Sequence, residues 1–373
     1  MNQQMKLIIA GGGTGGHIFP AVAIAHAVQR MQPAAEVLFV GAEGKMEMEK
    51  VPQEGFRIIG LPIAGFNRSH LLKNISLPFK MIKSALQARK IIREFKPDVV
   101  VGVGGYASFP VLFSAQRAGI PTLIQEQNSY AGKSNKILAK RANLVCVAYE
   151  NMQQFFPARK IVLTGNPVRK SISASTITRE EGRSAFGITG EKPVVLVIGG
   201  SLGARSINQA IGAGLGVLSQ MNIQIIWQCG QGYYETAVKE AEGLGKFVQV
   251  HAFIRQMDYA YAAADLVISR AGALAIAELC IAGKPVIFVP FPFAAEDHQT
   301  SNAMALVQHN ASQLVRDSDT ATELIPRLKA LLEDPKTQTV MQEALARLAI
   351  TDADERIATK VISLATTNPS SNS

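Results

Sequence analysis

His17 stands at the mouth of a glycine turn, Gly11-Gly12-Gly13-Thr14-Gly15-Gly16, and is the one titratable group there. An apolar run, Leu7–Ala10, precedes the turn, and Ile18, Ala21, Val22, Ile24, Ala25 and Val28 follow at helical spacing. Strand, glycine turn and helix is the unit with which α/β proteins hold phosphate. Glycine admits positive φ and close approach of a ligand, and the helix start offers N–H groups and partial positive charge. An imidazole so placed suits proton removal near neutral pH. The alternative is a tight turn whose histidine caps the helix.

Three more groups invite chemistry. Asp265-Leu-Val-Ile-Ser269-Arg270-Ala-Gly272 runs from a strand through a glycine into a helix that carries Glu278. A carboxylate in the first turns of such a helix can accept from the two hydroxyls of a ribose, or it can serve only the helix dipole. Gln125-Glu126-Gln127-Asn128 closes an apolar strand with polar residues, at the edge where α/β sheets bind ligands or where loop backbone needs partners. Asp297-His298 is an adjacent pair, but neighbours in sequence point different ways on most backbones, so a catalytic or metal role is not expected of it. The remaining histidines lack ligand spacing, and no cofactor or metal is expected. A diphosphate leaving group would then be neutralised by backbone N–H groups, a helix dipole and Arg169.

These residues need a frame, and the apolar runs supply one. Strands are expected at Lys6–Ala10, Glu36–Val40, Val99–Val103, Thr122–Gln125 and Leu144–Val147, with helical patterns between them. A second glycine turn, Gly102-Val-Gly104-Gly-Tyr106-Ala-Ser108, follows the third of these. The plan restarts at Pro193–Ile198, followed by the turn Gly199-Gly200-Ser201-Leu202-Gly203, and a further strand is expected at Val286–Val289. The fold class is α/β: two doubly wound Rossmann-like domains facing each other across a cleft. The polar stretch Lys170–Ser184 is the expected hinge. The expected division is 1–168 and 169–349, with a helix near 350–366 packing back on the first domain and a disordered tail at 367–373.

With 373 residues, 47% of them hydrophobic and only 18% charged, the chain can bury two cores. No run approaches the ~20 apolar residues of a spanning helix, and no basic segment followed by an apolar one opens the chain as a secretory signal would. The three scattered cysteines suit a reducing cytoplasm. Charge is uneven: between Phe66 and Arg141 thirteen Lys and Arg face three acids, an excess of ten that accounts for the whole net +9. Such a face implies an acidic partner. Nucleic acid is not expected, because no binding motif or aromatic run accompanies the charge. Within this region Leu77, Met81, Ala85, Ala88, Ile92 and Phe95 make one apolar helical stripe, read as core. Ile75, Phe79, Ile82 and Leu86 make a second, flanked by Lys80, Lys83 and Lys90. Either the helix is buried on two sides or the second stripe dips into an anionic membrane surface.

Taken together and in order, the motifs resemble the MurG family of N-acetylglucosamine transferases. They are Gly12-Gly-Thr14-Gly-Gly-His17, Gly104-Gly-Tyr106, Glu126-Gln-Asn128, Gly165-Asn-Pro-Val-Arg169, Gly199-Gly-Ser201-x-Gly203-Ala, Ser269-Arg-x-Gly272-Ala, Glu278, and Asp297-His-Gln299 with Asn302-Ala303. Leu202 stands where some relatives carry glutamine. The resemblance implies a GT-B fold and an inverting, metal-independent transfer of N-acetylglucosamine from UDP-GlcNAc. The acceptor would be the muramoyl 4-hydroxyl of undecaprenyl-pyrophosphoryl-muramoyl-pentapeptide (lipid I), and the product lipid II. It also implies that the N-terminal domain serves acceptor and membrane, that the C-terminal domain holds UDP-sugar, and that the enzyme sits peripherally on the cytoplasmic face of the plasma membrane. By motif, Ser201 and adjacent backbone meet the diphosphate, Glu278 takes the ribose and the Ile254 backbone frames uracil. Ala273, Leu274, Ala275, Ile276 and Ala277 lie along the nucleotide, and Gln299 contacts the sugar. Thr14, Gly15, Gly16, Asn128 and Arg169 complete the donor site, the first turn also handles the acceptor diphosphate, and His17 is the candidate general base.

Three other readings compete. The same fold could serve another acceptor, such as diacylglycerol or a natural product, and the lysine-flanked stripe does not separate the two lipids. A non-catalytic sugar-nucleotide module would need no base, so His17 together with Glu278 speaks against it. A nicotinamide-dependent dehydrogenase expects an acid ending the second strand, but Glu36–Val40 runs into Gly41-Ala42.

Overall fold

A computed structural model of the chain describes residues 4–63 and 77–366. The chain divides into two compact units, residues 1–169 with 352–373, and residues 170–351. In the first unit the parallel strands are β1 (Lys6–Ala10), β2 (Glu36–Ala42), β3 (Arg57–Leu61), β4 (Val99–Gly102), β5 (Thr122–Glu126), β6 (Leu144–Val147) and β7 (Ile161–Leu163). They lie in the order β3-β2-β1-β4-β5-β6-β7, so the order reverses at the β1/β4 neighbourhood. The helices between them are α1 (Gly15–Met31), α2 (Glu47–Gln53), α3 (Leu77–Phe95), α4 (Ser108–Arg117) and α5 (Lys133–Ala139).

Side chains alternate between two cores. Leu7 and Ile9 point to one that includes Ile24 and Val28 of α1. Ile8 and Ala10 point to the other, with Ile91 of α3, Leu112 of α4 and Leu138 of α5. Covering both faces is why these strands read as unbroken apolar runs. The expected strands are present with ends shifted by a residue or two. The reading named no strand at β3 or β7, which are the two edges of the sheet and are only partly buried.

Helix α3 corrects one expectation. Ser84, Ala88, Ile91 and Ile92 form its buried face, whereas Met81, assigned to the core, is 55% exposed. The described residues of the second stripe are not buried: Phe79, Ile82 and Leu86 are 76%, 61% and 64% exposed. Ile75, Arg68 and Lys73 lie outside the described residues, as does the tail expected at 367–373.

The second unit holds α6 (Lys170–Ser173), α7 (Arg179–Ala185), β8 (Val194–Ile198), α8 (Arg205–Leu218), β9 (Gln224–Gln228), α9 (Tyr234–Glu240), β10 (Val248–His251), α10 (Met257–Ala263), β11 (Leu266–Ser269), α11 (Ala273–Ala282), β12 (Val286–Phe288), α12 (His298–Val307), β13 (Gln313–Leu314), α13 (Thr320–Leu332) and α14 (Pro335–Leu348). Its parallel sheet runs β10-β9-β8-β11-β12-β13 around a core centred on Val195, Val197, Ile207, Trp227 and Ile268. The polar stretch Lys170–Ser184 contains α6 and much of α7. Thr178 and Glu181 close a capping box at the start of α7, and Arg179 pairs with Asp265 at 3.0 Å. The last helix, α15 (Ala353–Thr366), packs on α1 of the first unit. Arg30 Nη2 on α1 donates to the buried Asp354 carboxylate at 2.7 Å, which fixes that docking.

Candidate active site

In the first unit the loops that follow β1, β4 and β5 lie side by side, because those strands are neighbours. The β1 and β4 turns pack directly on each other. Gly12 N–H donates to the Gly104 carbonyl at 3.2 Å. A Cβ on Gly105 would fall 2.2 Å from the Gly12 oxygen, and one on Gly104 would fall 2.9 Å from the His17 ring. Both positions therefore have to be glycine, and their φ values of +86° and +90° require the same.

His17 is half-buried, with Nδ1 3.2 Å from the Gly12 carbonyl and 3.3 Å from Thr14 Oγ1. The carbonyl can only accept and the Thr14 hydroxyl can accept or donate, so a hydrogen bond to the carbonyl requires the proton on Nδ1, which in the neutral ring leaves the lone pair on Nε2. Gly11, Gly12 and Gly13 direct their N–H groups inward, to Val40, Gly104 and Glu47. The N–H groups of Thr14, Gly15 and Gly16 instead open α1, where a helix N-terminus attracts negative charge.

The loop after β5 is held by amides and one buried carboxylate. Glu126 accepts from Asn128 N–H (3.2 Å) and Nδ2 (3.3 Å) on one oxygen, and from Gly132 N–H (3.1 Å) and Asn135 Nδ2 (2.9 Å) on the other. Burial pushes the Glu126 carboxyl above the ordinary carboxylate range, against the donors that favour its charged form. Gln127 Nε2 donates to the Val103 carbonyl at 2.7 Å and also to Gln125 Oε1. Asn166 accepts from Gln125 at 3.0 Å and donates to the Gln127 carbonyl at 2.9 Å. Asn128 is thus brought beside the β4 turn, and Arg169 follows three residues after Asn166 with its side chain exposed.

In the second unit the expected residues again gather at the carboxyl ends of neighbouring strands. Ser201 is exposed on the turn after β8, beside a pocket lined by Leu202, Arg205, Asn208 and Tyr233. Ala273–Ala277 form the first turns of α11 after β11. Glu278 on the same helix is buried and accepts from Tyr261 Oη at 3.1 Å. Ile254 follows β10, and its N–H donates to Gln228 Oε1 at 2.8 Å, while Gln228 Nε2 donates to the Gly200 carbonyl at 3.1 Å. Gln299 begins α12 and accepts from Phe291 N–H at 2.9 Å. Asp297 accepts from Thr300 Oγ1 at 2.7 Å.

Sequence reasoning passed over Gln228 and Tyr261. Gln228 carried a usable signal, a polar residue closing the strand β9 as Glu126 closes β5. Arg270, quoted only as part of a motif, is a brace: its guanidinium donates to the Val289 and Pro290 carbonyls at 3.1 Å each and to Asp317 at 2.5 Å. Among the described residues no group of three or more His, Cys, Asp or Glu is placed to hold a metal ion.

Two Rossmann-like units, each with a glycine turn at the carboxyl edge of its sheet, are the architecture of the GT-B fold. The glycosyltransferase family 28 N-terminal domain matches residues 7–147, and the family 28 C-terminal domain matches residues 194–357. The chain belongs to glycosyltransferase family 28 and, within it, to the MurG group. It is 50% identical over 363 residues to the UDP-N-acetylglucosamine–N-acetylmuramyl-(pentapeptide) pyrophosphoryl-undecaprenol N-acetylglucosamine transferase of Parabacteroides distasonis, which covers 97% of this chain and 99% of the relative. The protein of the same name from Phocaeicola vulgatus is 51% identical over 367 residues, with 98% of each chain covered. The crystal structure of Acinetobacter baumannii MurG superposes with a TM-score of 0.78 at 31% identity, covering 96% of this chain and 99% of that one. The expected fold class and family are borne out.

Proposed function

We propose that the chain transfers N-acetylglucosamine from UDP-GlcNAc to the muramoyl 4-hydroxyl of lipid I, forming lipid II with inversion at the anomeric carbon. The observation that carries this is the near-full-length identity to transferases of that name. The bond from C1 to the β-phosphate oxygen breaks and its electron pair leaves with UDP. The 4-hydroxyl oxygen bonds to C1 from the opposite face, and its proton passes to the lone pair on His17 Nε2. The Nδ1 contact with the Gly12 carbonyl supports that role.

On the donor side, Ser201 and the turn around it receive the diphosphate at the start of α8, and Glu278 accepts from the ribose hydroxyls. The Ile254 N–H is already engaged by Gln228, so the Ile254 carbonyl is the group left for the N3–H of uracil. Gln299 meets the sugar, and Thr14, Gly15, Gly16, Asn128 and Arg169 serve the transferred group and the acceptor. Transfer of labelled N-acetylglucosamine to a short-chain lipid I analogue, with EDTA present, tests this directly. Product is expected; its absence, with UDP released when diacylglycerol is offered, would reassign the acceptor.

Lipid I implies a membrane, and helix α3 supports one. A buried large apolar side chain is worth about 1.5–3 kcal/mol, a gain Phe79, Met81, Ile82 and Leu86 do not make within the chain. Phe113 of the adjacent α4 is also partly exposed. Lys80, Lys83 and Lys90 are exposed on the same helix and meet anionic headgroups as the apolar stripe enters the bilayer surface. No described helix is long and apolar enough to cross a membrane. A peripheral position on the cytoplasmic face of the plasma membrane follows from this reading, and nucleic acid has no part in it. Changing the three lysines to glutamate is expected to lower binding to anionic vesicles by about tenfold or more, since each surface lysine contributes about 1 kcal/mol. Unchanged binding would remove this surface from the proposal.

A further inference from the structure

Glu47 is the first residue of α2, in a run of charged residues, yet it is 1% exposed. Its carboxylate reaches the underside of the first glycine turn. Oε2 accepts from Gly13 N–H at 2.8 Å, and Oε1 accepts from Ala42 N–H at 3.0 Å, at the end of β2. Two glycines clear its path: a Cβ on Gly12 would fall 2.4 Å from Glu47 Cδ, and one on Gly41 would fall 2.5 Å from Glu47 Cγ.

The Gly13 N–H and the Gly12 carbonyl are the two ends of one planar peptide. Glu47 holds the first end, and the second holds His17 Nδ1 at 3.2 Å. Gly12 and Gly13 flank this peptide at φ +139° and +91°. Lacking Cβ atoms, both leave the plane free to rotate unless something fixes it. A carboxylate on the N–H also polarises the amide and makes its carbonyl a stronger acceptor.

We propose that Glu47 is a positioning residue for the transfer: it locks the Gly12–Gly13 peptide so that the Gly12 carbonyl keeps the His17 proton on Nδ1 and the lone pair on Nε2. This rests on His17 being the base. It differs from a purely structural role because it determines a tautomer, and the tautomer can be read.

The test is Glu47→Gln. The side-chain oxygen can accept one of the two N–H groups, and its NH2 faces the other, so the peptide loses its charged anchor. Imidazole nitrogen NMR of histidine-labelled protein, with His17 assigned by difference from His17→Ala, reports which nitrogen of the neutral ring carries the proton. Native protein is expected to show Nδ1–H, and the variant a mixture of tautomers. In the transfer assay kcat is expected to fall about tenfold or more, the scale of general-base catalysis that is misaligned, with KM for UDP-GlcNAc within about twofold of native. An unchanged tautomer, or an unchanged kcat in folded variant, would overturn the proposal. Should Glu47→Gln fail to fold, Gly41→Ala carries the same expectation. Its backbone accepts a side chain, and the new methyl displaces the carboxylate from the far side. The NMR measurement needs no acceptor. Absence of transfer by native protein would refute the proposed reaction, whereas a fixed tautomer in the variant would refute the role of Glu47.

Discussion

The glycine turns after β1 and β8 look alike in sequence and differ in what lies beneath them. Under the first is a carboxylate, Glu47, which engages the Gly13 N–H and adds negative charge. Under the second are neutral amides. Gln228 holds the Gly200 carbonyl and the Ile254 N–H, and Asn208 holds the Cys229 carbonyl at 2.7 Å while accepting from Trp227 at 3.1 Å. Gly203 lies so near Cys229 that a Cβ would fall 1.9 Å from its carbonyl oxygen, which keeps this turn tight without any charge. A buried anion beneath a turn opposes the field that would draw a phosphate; at the start of α8 the Asp317 carboxylate accepts from Ser206 Oγ but is paired with Arg270, so the charge there is balanced. The same strand–turn–helix unit is thus set for different tasks. Under the proposed function the first turn orients an imidazole beside the acceptor, and the second receives the donor diphosphate.

The largest expected effect separates those tasks by removing one functional group from each unit. His17→Ala should lower kcat by about a hundredfold or more, within the range for a lost general base, with UDP-GlcNAc affinity within about twofold of native. Glu278→Ala should chiefly raise the donor KM, by about tenfold or more, since hydrogen bonds to a charged group are worth about 1.5–3 kcal/mol. Steady-state kinetics and calorimetric titration with UDP check both. If both variants only weaken donor binding, the division of labour between the turns fails.

A smaller effect bears on the anchors themselves. Gln228→Glu gives the second turn a carboxylate like that of the first. It should raise the donor KM more than Gln228→Leu does, by about threefold to tenfold, the scale of one misplaced charge near a partly solvated site. Equal effects of the two substitutions would mean that the anchors differ in geometry alone. Uridine binding sharpens the point: it lacks phosphate, so Gln228→Glu, which keeps an acceptor for the Ile254 N–H, should bind it at least as well as Gln228→Leu.

Much of this architecture was legible in order along the chain. Strands buried on both faces carry apolar runs, so β1, β4, β5 and β8 announce themselves, and each is followed by glycine or polar residues at the edge where α/β sheets bind ligands. The edge strands β3 and β7 carry fewer buried side chains and leave a weaker trace. On α3 the periodicity located two apolar stripes but not what covers them. Met81 obeys the spacing of Ala88 and Ile92 yet stands exposed, which periodicity alone could not show.

The sequence by itself determined the α/β plan with its restart at β8, the glycine turns, and the set of motifs that define the family. These depend on local sterics and on hydrophobic period, both of which are written in neighbouring residues. Only the tertiary structure decided which of several identical side chains matter. Glu47 and Glu49 sit two positions apart on one short helix; one is buried against a glycine turn and the other is exposed beside Lys50. Gln228 likewise acquires its role from backbone groups that follow other strands, the Gly200 carbonyl and the Ile254 N–H. A buried polar group takes its meaning from the donors and acceptors that surround it, and those come from segments distant in the chain.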